Sequence, residues 1–182
     1  MPLVMEDIIL RQKKGVYQIL TPKFKTKLEY FLDAFEDYRE EYIGRIDPSM
    51  FKELPYVDFD KDVWKLRQLD IELIKKIIPK SGKTLEIGAW NGWLSNRLVE
   101  MGCEVTALDF FTHHLDGLGA HKYYSNDWLT VQMNLDDLGN INGKYDLIVL
   151  NRCLPYFIDL NKTLSQLTFL LRPGGNTFDY WN

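Results

Sequence analysis

Cysteine is scarce in this chain of 182 residues: Cys103 and Cys153 are its only two, and neither belongs to a Cys-x-x-Cys pair. A disulfide framework or a cysteine-based zinc site lacks its raw material, so both thiols read as small buried hydrophobes and no metal is expected. Also lacking is an apolar run of the roughly 20 residues that a membrane-spanning helix needs. The start, Met1 to Asp7, has no basic flank or small-residue cleavage site, which makes the cytoplasm the expected location, without a membrane partner. Positive charge is not in excess. Residues 1–80 hold fifteen basic and fifteen acidic side chains and residues 81–182 hold seven and eleven, so the net charge of -4 belongs entirely to the second part. Nucleic-acid binding needs a basic footprint, and none is expected here. Repeats and low-complexity segments are absent as well.

What is present is the balance of one globular domain with a small appendage, 46% hydrophobic and 26% charged. Residues 3–10 and 16–21 are β-prone and flank Arg11-Gln12-Lys13-Lys14-Gly15, so residues 1–22 are expected to form a small N-terminal hairpin turning at Gly15. Residues 23–80 are expected to be a helical extension and linker. From Phe24 onward, Leu28, Phe31, Phe35, Tyr38 and Tyr42 recur at spacings of four and three, which predicts a helix with one aromatic face that Gly44 terminates. A second helix, about 61–78, places Trp64, Leu69, Leu73, Ile74, Ile77 and Ile78 on one broad side.

Residues 81–182 alternate between short apolar strands and helical stretches. The predicted strands are 84–88, 105–109, 129–133, 145–150 and 177–181; the helices are 92–101 and 159–171, with a short one near 112–119. Such alternation predicts an α/β fold with a parallel sheet covered on both faces. Ser81-Gly82-Lys83-Thr84 superficially suggests a phosphate loop. The Walker pattern requires a glycine where Ile77 stands and a strand before the loop, whereas here the strand follows.

The informative segment is Leu85-Glu86-Ile87-Gly88-Ala89-Trp90-Asn91-Gly92-Trp93-Leu94-Ser95, a strand running through a glycine loop into a helix. Amides at a helix start can face a ligand, and glycine admits close backbone approach. Twenty-one residues after Gly88, Asp109 ends the next predicted strand, where an acid can accept both hydroxyls of a ribose. The nicotinamide fingerprint Gly-x-Gly-x-x-Gly is absent from residues 88–93.

This pattern resembles motif I of the class I S-adenosylmethionine-dependent methyltransferases, with Glu86 on the motif's acid, Gly88 and Gly92 on its first and third glycines, and Asp109 on the acid after the second strand. Asn134-Leu135-Asp136-Asp137-Leu138 resembles the family's adenine loop, residues 143–149 its fourth strand, and Leu170-Leu171-Arg172-Pro173-Gly174-Gly175 the turn into its fifth. Asn91-Gly92-Trp93-Leu94-Ser95 and Asp116-Gly117-Leu118-Gly119-Ala120 are similar to runs in a closer subgroup. The resemblance implies a Rossmann-like three-layer αβα sandwich over 81–182, with strand order 3-2-1-4-5 and without the family's last two strands. It implies S-adenosylmethionine as cofactor and methyl transfer to a small-molecule acceptor, or a catalytically inactive S-adenosylmethionine-binding or assembly subunit.

By the same resemblance, Glu86 would orient the glycine loop and favour the cofactor's cationic end, while Gly88 and Gly92, with Ala89, Trp90 and Asn91, would admit its methionyl part. Asp109 would hold the ribose, next to Phe110. Leu135, with Asp136 or Asn134, would read the adenine, and Asn151 to Tyr156 would border the methyl. No catalytic residue is identified, although His113, His114 and His121 have the chemistry of a base. Trp90 departs from the family's middle glycine, so its ring either stacks on the ligand or occludes it. Strand five is expected to be an open edge, which a homodimer or a partner protein would cover.

Overall fold

The structure is a computed structural model that describes residues 3–4, 15–57, 61–78 and 81–179. Its centre is a six-stranded sheet in the order β2-β5-β4-β3-β7-β8, every neighbouring pair parallel. The strands are β2 (Val16–Ile19), β3 (Lys83–Ile87), β4 (Glu104–Asp109), β5 (Leu129–Met133), β7 (Tyr145–Leu150) and β8 (Leu171–Asp179). Two further short strands, β1 (Leu3–Val4) and β6 (Ile141–Asn142), pair with each other. The expected order 3-2-1-4-5 is present as β5-β4-β3-β7-β8. This is the α/β Rossmann-like architecture that the resemblance implied.

Period-two alternation sorts the strand residues into two cores. Val105, Ala107, Leu147 and Val149 face one layer, against Trp64, Ile71 and Ile74 of α2 (Lys61–Ile74) and Trp93, Leu94 and Leu98 of α3 (Trp93–Glu100). Leu85, Ile87, Leu108, Ile148 and Leu150 face the other, against Leu167 and Leu170 of α4 (Leu160–Leu170). Both cysteines are buried, as expected, and not joined in a disulfide.

The N-terminal hairpin expected over residues 1–22 falls largely outside the described residues. Within the described residues, β2 pairs with β5, and β1 with β6, rather than with one another; residues 5–14 lie outside them. The physical reason is the edge that β5 would otherwise present. Four residues of β2 fill it, reinforced by the Gln18 amide donating to Gln132 and the Thr130 hydroxyl donating to the Gly15 carbonyl.

Other differences are local. In α2 the buried apolar residues are Trp64, Ile71 and Ile74, while Leu69 and Leu73 stay exposed. The helix expected near 112–119 is displaced to a 3-10 turn at Leu118–Tyr123. Strand five begins earlier than 177, because Leu171 already pairs with Tyr145 and a bulge intervenes before Asn176 meets Leu147. The last predicted strand residues, 180 and 181, lie outside the described residues. β8 is the last strand in the order on its side, and it presents Arg172, Pro173, Asn176 and Thr177 to solvent, a polar composition suited to an edge.

Helix α1 (Pro22–Ile43) meets the core layers only through Tyr42, which packs against the first. Thr21 caps its start by accepting the Phe24 N–H, and Gly44 closes its end. Its aromatic side meets the segment after β4: the Phe31 and Phe35 rings lie 5.9 Å from Phe110, and Phe35 lies edge-on to Phe111 at 5.0 Å. The helix is thereby laid across the carboxyl ends of the strands.

Candidate functional site

A cavity of about 640 Å³ opens at those carboxyl ends, where parallel sheets of this winding place their ligands. Of the residues singled out in the sequence, Gly88, Trp90, Asp109, Phe110, Asn134, Leu135, Asp136 and Asn151 line it. They arrive from the ends of β3, β4, β5 and β7. Periodicity alone had no means of placing four such segments side by side.

Asp109 is the best-anchored of them. Its Oδ1 accepts the N–H groups of Phe110 and Phe111 at 2.7 and 3.1 Å, and its Oδ2 accepts that of Trp90 at 2.8 Å. A carboxylate has about four acceptor sites, so one is left for a ligand. Burial pushes its pKa up, opposed by the three backbone donors, with the Asp116 charge adding to the rise.

Gly88 is a glycine of necessity. Its φ is +78°, and a Cβ there would come within 2.9 Å of the Asn151 carbonyl and of the Cys153 Cβ. Asn134 lines the cavity while its side-chain oxygen accepts the Asp136 N–H, which starts the turn Leu135–Asn140 and leaves the amide N–H₂ to point elsewhere.

Glu86, Ala89, Asn91 and Gly92 are not brought to the cavity. Glu86 is fully buried behind the loop, its oxygens accepting the Ser95 hydroxyl and the Asn151 amide N–H, the latter at 2.8 Å. It therefore holds Asn151 rather than reaching a ligand itself. Burial raises its pKa to about 7, against the two hydrogen bonds. Gly92, at φ +80°, makes room for protein: a Cβ would meet the Trp128 ring at 2.7 Å. Asn91 accepts the Trp93 N–H at the start of α3, and Ala89 donates to the Leu108 carbonyl, which ties the loop to β4.

Trp90 sits in the left-handed region that favours glycine, with φ 50°. Its indole neither fills the cavity nor projects into solvent. The indole N–H donates to Asp116 at 2.6 Å, the ring stacks on Trp64 with centroids 6.1 Å apart, and Tyr42 of α1 packs beside it at 6.4 Å. The ring is thus part of the cavity wall rather than a plug within it.

The histidines stay out of the site. Among the described residues none lines the cavity; His113 accepts the N–H groups of Leu115 and Asp116, and His121 stacks on Trp128.

Sequence reasoning missed half of the wall. Phe24, Lys27, Leu28, Phe31, Phe35 and Arg39 line the cavity from α1. Arg67 joins them from α2, its guanidinium 4.9 Å from the Trp64 ring centre, 5.0 Å from that of Trp90 and 5.4 Å from that of Trp93. Such a box of indoles fixes a cation in place. The four-three spacing of α1 announced an apolar face, but not that the face would cover a ligand site. Arg67 gave no local signal.

Among known proteins, the family model described as "Methyltransferase domain" matches residues 85–177. The chain is 24% identical over 145 residues to the ubiquinone biosynthesis O-methyltransferase of Vibrio parahaemolyticus, covering 73% of this chain and 62% of that protein. The fold is similar to that of the PH0226 protein of Pyrococcus horikoshii, with a TM-score of 0.57 at 18% identity, covering 70% of this chain and 58% of that one. It is also similar to phosphoethanolamine N-methyltransferase 2 of Haemonchus contortus, a structure in complex with S-adenosyl-L-methionine, with a TM-score of 0.51 at 22% identity, covering 62% and 27%. This chain thus spans less than two thirds of the length of the curated relatives it matches.

Proposed function

Since residues 85–177 make this chain a member of the methyltransferase-domain family, we propose that its cavity binds S-adenosylmethionine and that the chain passes the methyl group to a small-molecule acceptor. The observation that carries this reading is the convergence of Gly88, Asp109, Phe110, Leu135, Asp136 and Asn151 from four strand ends onto one cavity.

The residues present fit the cofactor group by group. The remaining acceptor site of Asp109 suits a ribose hydroxyl, with the carboxylate already oriented by three N–H donors. Phe110 and Leu135 offer apolar faces to a purine, and Asp136 offers an acceptor to its exocyclic amine. Arg67, held against three indoles, suits the cofactor's carboxylate. When bound, the cofactor supplies an electrophilic methyl on a cationic sulfur. The protein's task is then alignment and exclusion of water, which Asn151 and Gly88 perform at the strand ends and α1 performs from above.

The acceptor would enter beside Arg152, Cys153, Tyr156 and Ile158, opposite Phe24 and Lys27 of α1. Tyr156 and Ile158 are largely exposed, so this mouth is apolar and open. A small acceptor with an apolar body suits it, in keeping with the name of the Vibrio relative. Occlusion by Trp90, one of the two grounds for an inactive subunit beside the missing last strands, finds no support in an indole that stands in the wall. We place the chain in the cytoplasm, no helix among the described residues being long and apolar enough to cross a membrane, and propose a second copy or a partner at the outer edge of β8.

Titration calorimetry with S-adenosylhomocysteine and with NAD tests the reading. Micromolar binding of the first, none of the second and loss of the first in Asp109→Ala are expected. A natively folded protein that does not bind S-adenosylhomocysteine would overturn it. Transfer of label from the cofactor to candidate acceptors then tests turnover.

A further inference from the structure

One run from the sequence has no place in the cofactor scheme: Asp116-Gly117-Leu118-Gly119-Ala120. The fold winds it tightly. A Cβ on Gly117 would meet the Phe111 carbonyl and the His113 nitrogen at 2.7 Å, and one on Gly119 would meet the Thr112 carbonyl at 2.6 Å. The result of this winding is a single buried carboxylate. Asp116, 1% exposed, accepts the Arg39 Nε–H at 2.8 Å, the Arg39 Nη2–H at 2.9 Å and the Trp90 indole N–H at 2.6 Å. Arg39 belongs to α1, where its guanidinium also lies 4.2 Å from the Tyr42 ring centre. Trp90 belongs to the glycine loop and holds a backbone conformation that a bulky side chain adopts only under constraint.

We propose that Asp116 is a positioning residue that ties helix α1 to the glycine loop through Arg39 and Trp90, so that closing α1 over the cavity and setting the loop for the cofactor are one event. The proposal rests on the function proposed above. Its physical basis is that a carboxylate taken out of water needs all of its donors, so the donor on α1 and the donor on the loop each depend on the other being in place. A strained residue in a cavity wall persists when its surroundings over-determine it. Trp90 is determined from three directions: Asp109 accepts its backbone N–H, Asp116 accepts its indole N–H, and Trp64 stacks on its face. The same helix brings Phe24, Leu28 and Phe31 to the cavity's outer side. A ligand that packs beneath those rings therefore favours the docked helix, and the docked helix favours the loop.

Hydrogen exchange on the full chain, with and without S-adenosylhomocysteine, provides the test, together with calorimetry of the same samples. In the unaltered protein the ligand is expected to slow exchange over residues 22–43 and 88–92. In Asp116→Asn, affinity is expected to fall roughly tenfold or more, within the range of ordinary coupling between sites, and the ligand should no longer slow 22–43. Arg39→Gln should behave alike, with partial recovery in Arg39→Lys. A carboxylate that served stability alone would speed exchange without removing the ligand's effect on it. Binding within twofold of the unaltered protein in Asp116→Asn, or undiminished slowing of 22–43, would overturn the proposal. Should Asp116→Asn fail to fold, Trp90→Phe removes the indole N–H together with part of the ring that stacks on Trp64, and must weaken binding while speeding exchange at 88–92; unchanged values there overturn the proposal equally. If the unaltered protein does not bind the ligand, the proposed function falls, and the tie is judged by ligand-free exchange: faster exchange at both 22–43 and 88–92 in Asp116→Asn with 145–170 unchanged supports it, and an unchanged rate at either segment sinks it.

Discussion

On the sheet side of the cavity the polar groups are held by backbone: Asp109 takes three main-chain N–H donors, and Gly88 sits where only a missing Cβ fits. On the helix side they are held by side chains from distant parts of the chain. Arg39 and Asp116 are 77 residues apart, and Arg67 reaches the cavity through three indoles. The first wall is rigid because strands and their connecting loop cannot shift without breaking ladder hydrogen bonds. The second is only as firm as one buried ion pair and a set of aromatic contacts, which suits a part that opens to admit a ligand and closes over it.

That contrast can be broken from either side, and the largest effect is expected on the sheet. Gly88→Val forces a branched residue into φ +78° with a backbone oxygen 2.9 Å from its Cβ; a loss of about 3 kcal/mol or more is expected, measurable by urea denaturation. A stable Gly88→Val protein would mean that the β3 loop is less constrained than its geometry indicates. Asp109→Ala should come next, lowering stability by about 2 kcal/mol through three orphaned backbone donors and removing S-adenosylhomocysteine binding in the calorimeter.

Glu86 sharpens the comparison through pH. Its folded-state pKa of about 7 lies above the ordinary value near 4.5. The folded chain therefore keeps a proton that the unfolded chain releases, so this contribution is present below pH 4.5 and is lost as pH rises through 7. Stability should fall by on the order of 2 kcal/mol between pH 5 and pH 8, and Glu86→Gln should flatten the profile. An unchanged profile in the variant would mean that another group titrates. On the helix side, Phe31→Ala removes a half-exposed ring stacked 5.3 Å from Phe35. About 1 kcal/mol of stability and a few-fold of ligand affinity should go, with no change in exchange at β7. A larger loss than that of Asp109→Ala would reverse the assignment of firm and soft walls.

Much of the sheet wall was legible in the residues. The strand–loop–helix run around Gly88 and the position of Asp109 are local features, and they appear where the spacing put them. The loss of Gly92 and Glu86 from the cavity itself was not legible, because whether a small or acidic residue faces ligand or protein depends on its neighbour. Trp128 takes the space over Gly92, and Asn151 with Ser95 takes the oxygens of Glu86. The pairing of β2 with β5 was not legible for a related reason: nothing local reports that a distant strand has an edge to offer.

The amino-acid sequence by itself determined the alternation of strands and helices and the acid at the end of the second strand of the sheet's central five, since hydrophobic period, glycine placement and loop length act over a few residues, while the order of those strands was implied only by the family resemblance. Tertiary structure alone decided that α1 roofs the cavity, that the Trp90 indole turns into the wall, and that Asp116 meets both Arg39 and Trp90. Those outcomes come from burying charge and aromatic surface among groups brought together only by folding, and such pairings leave no period along the chain.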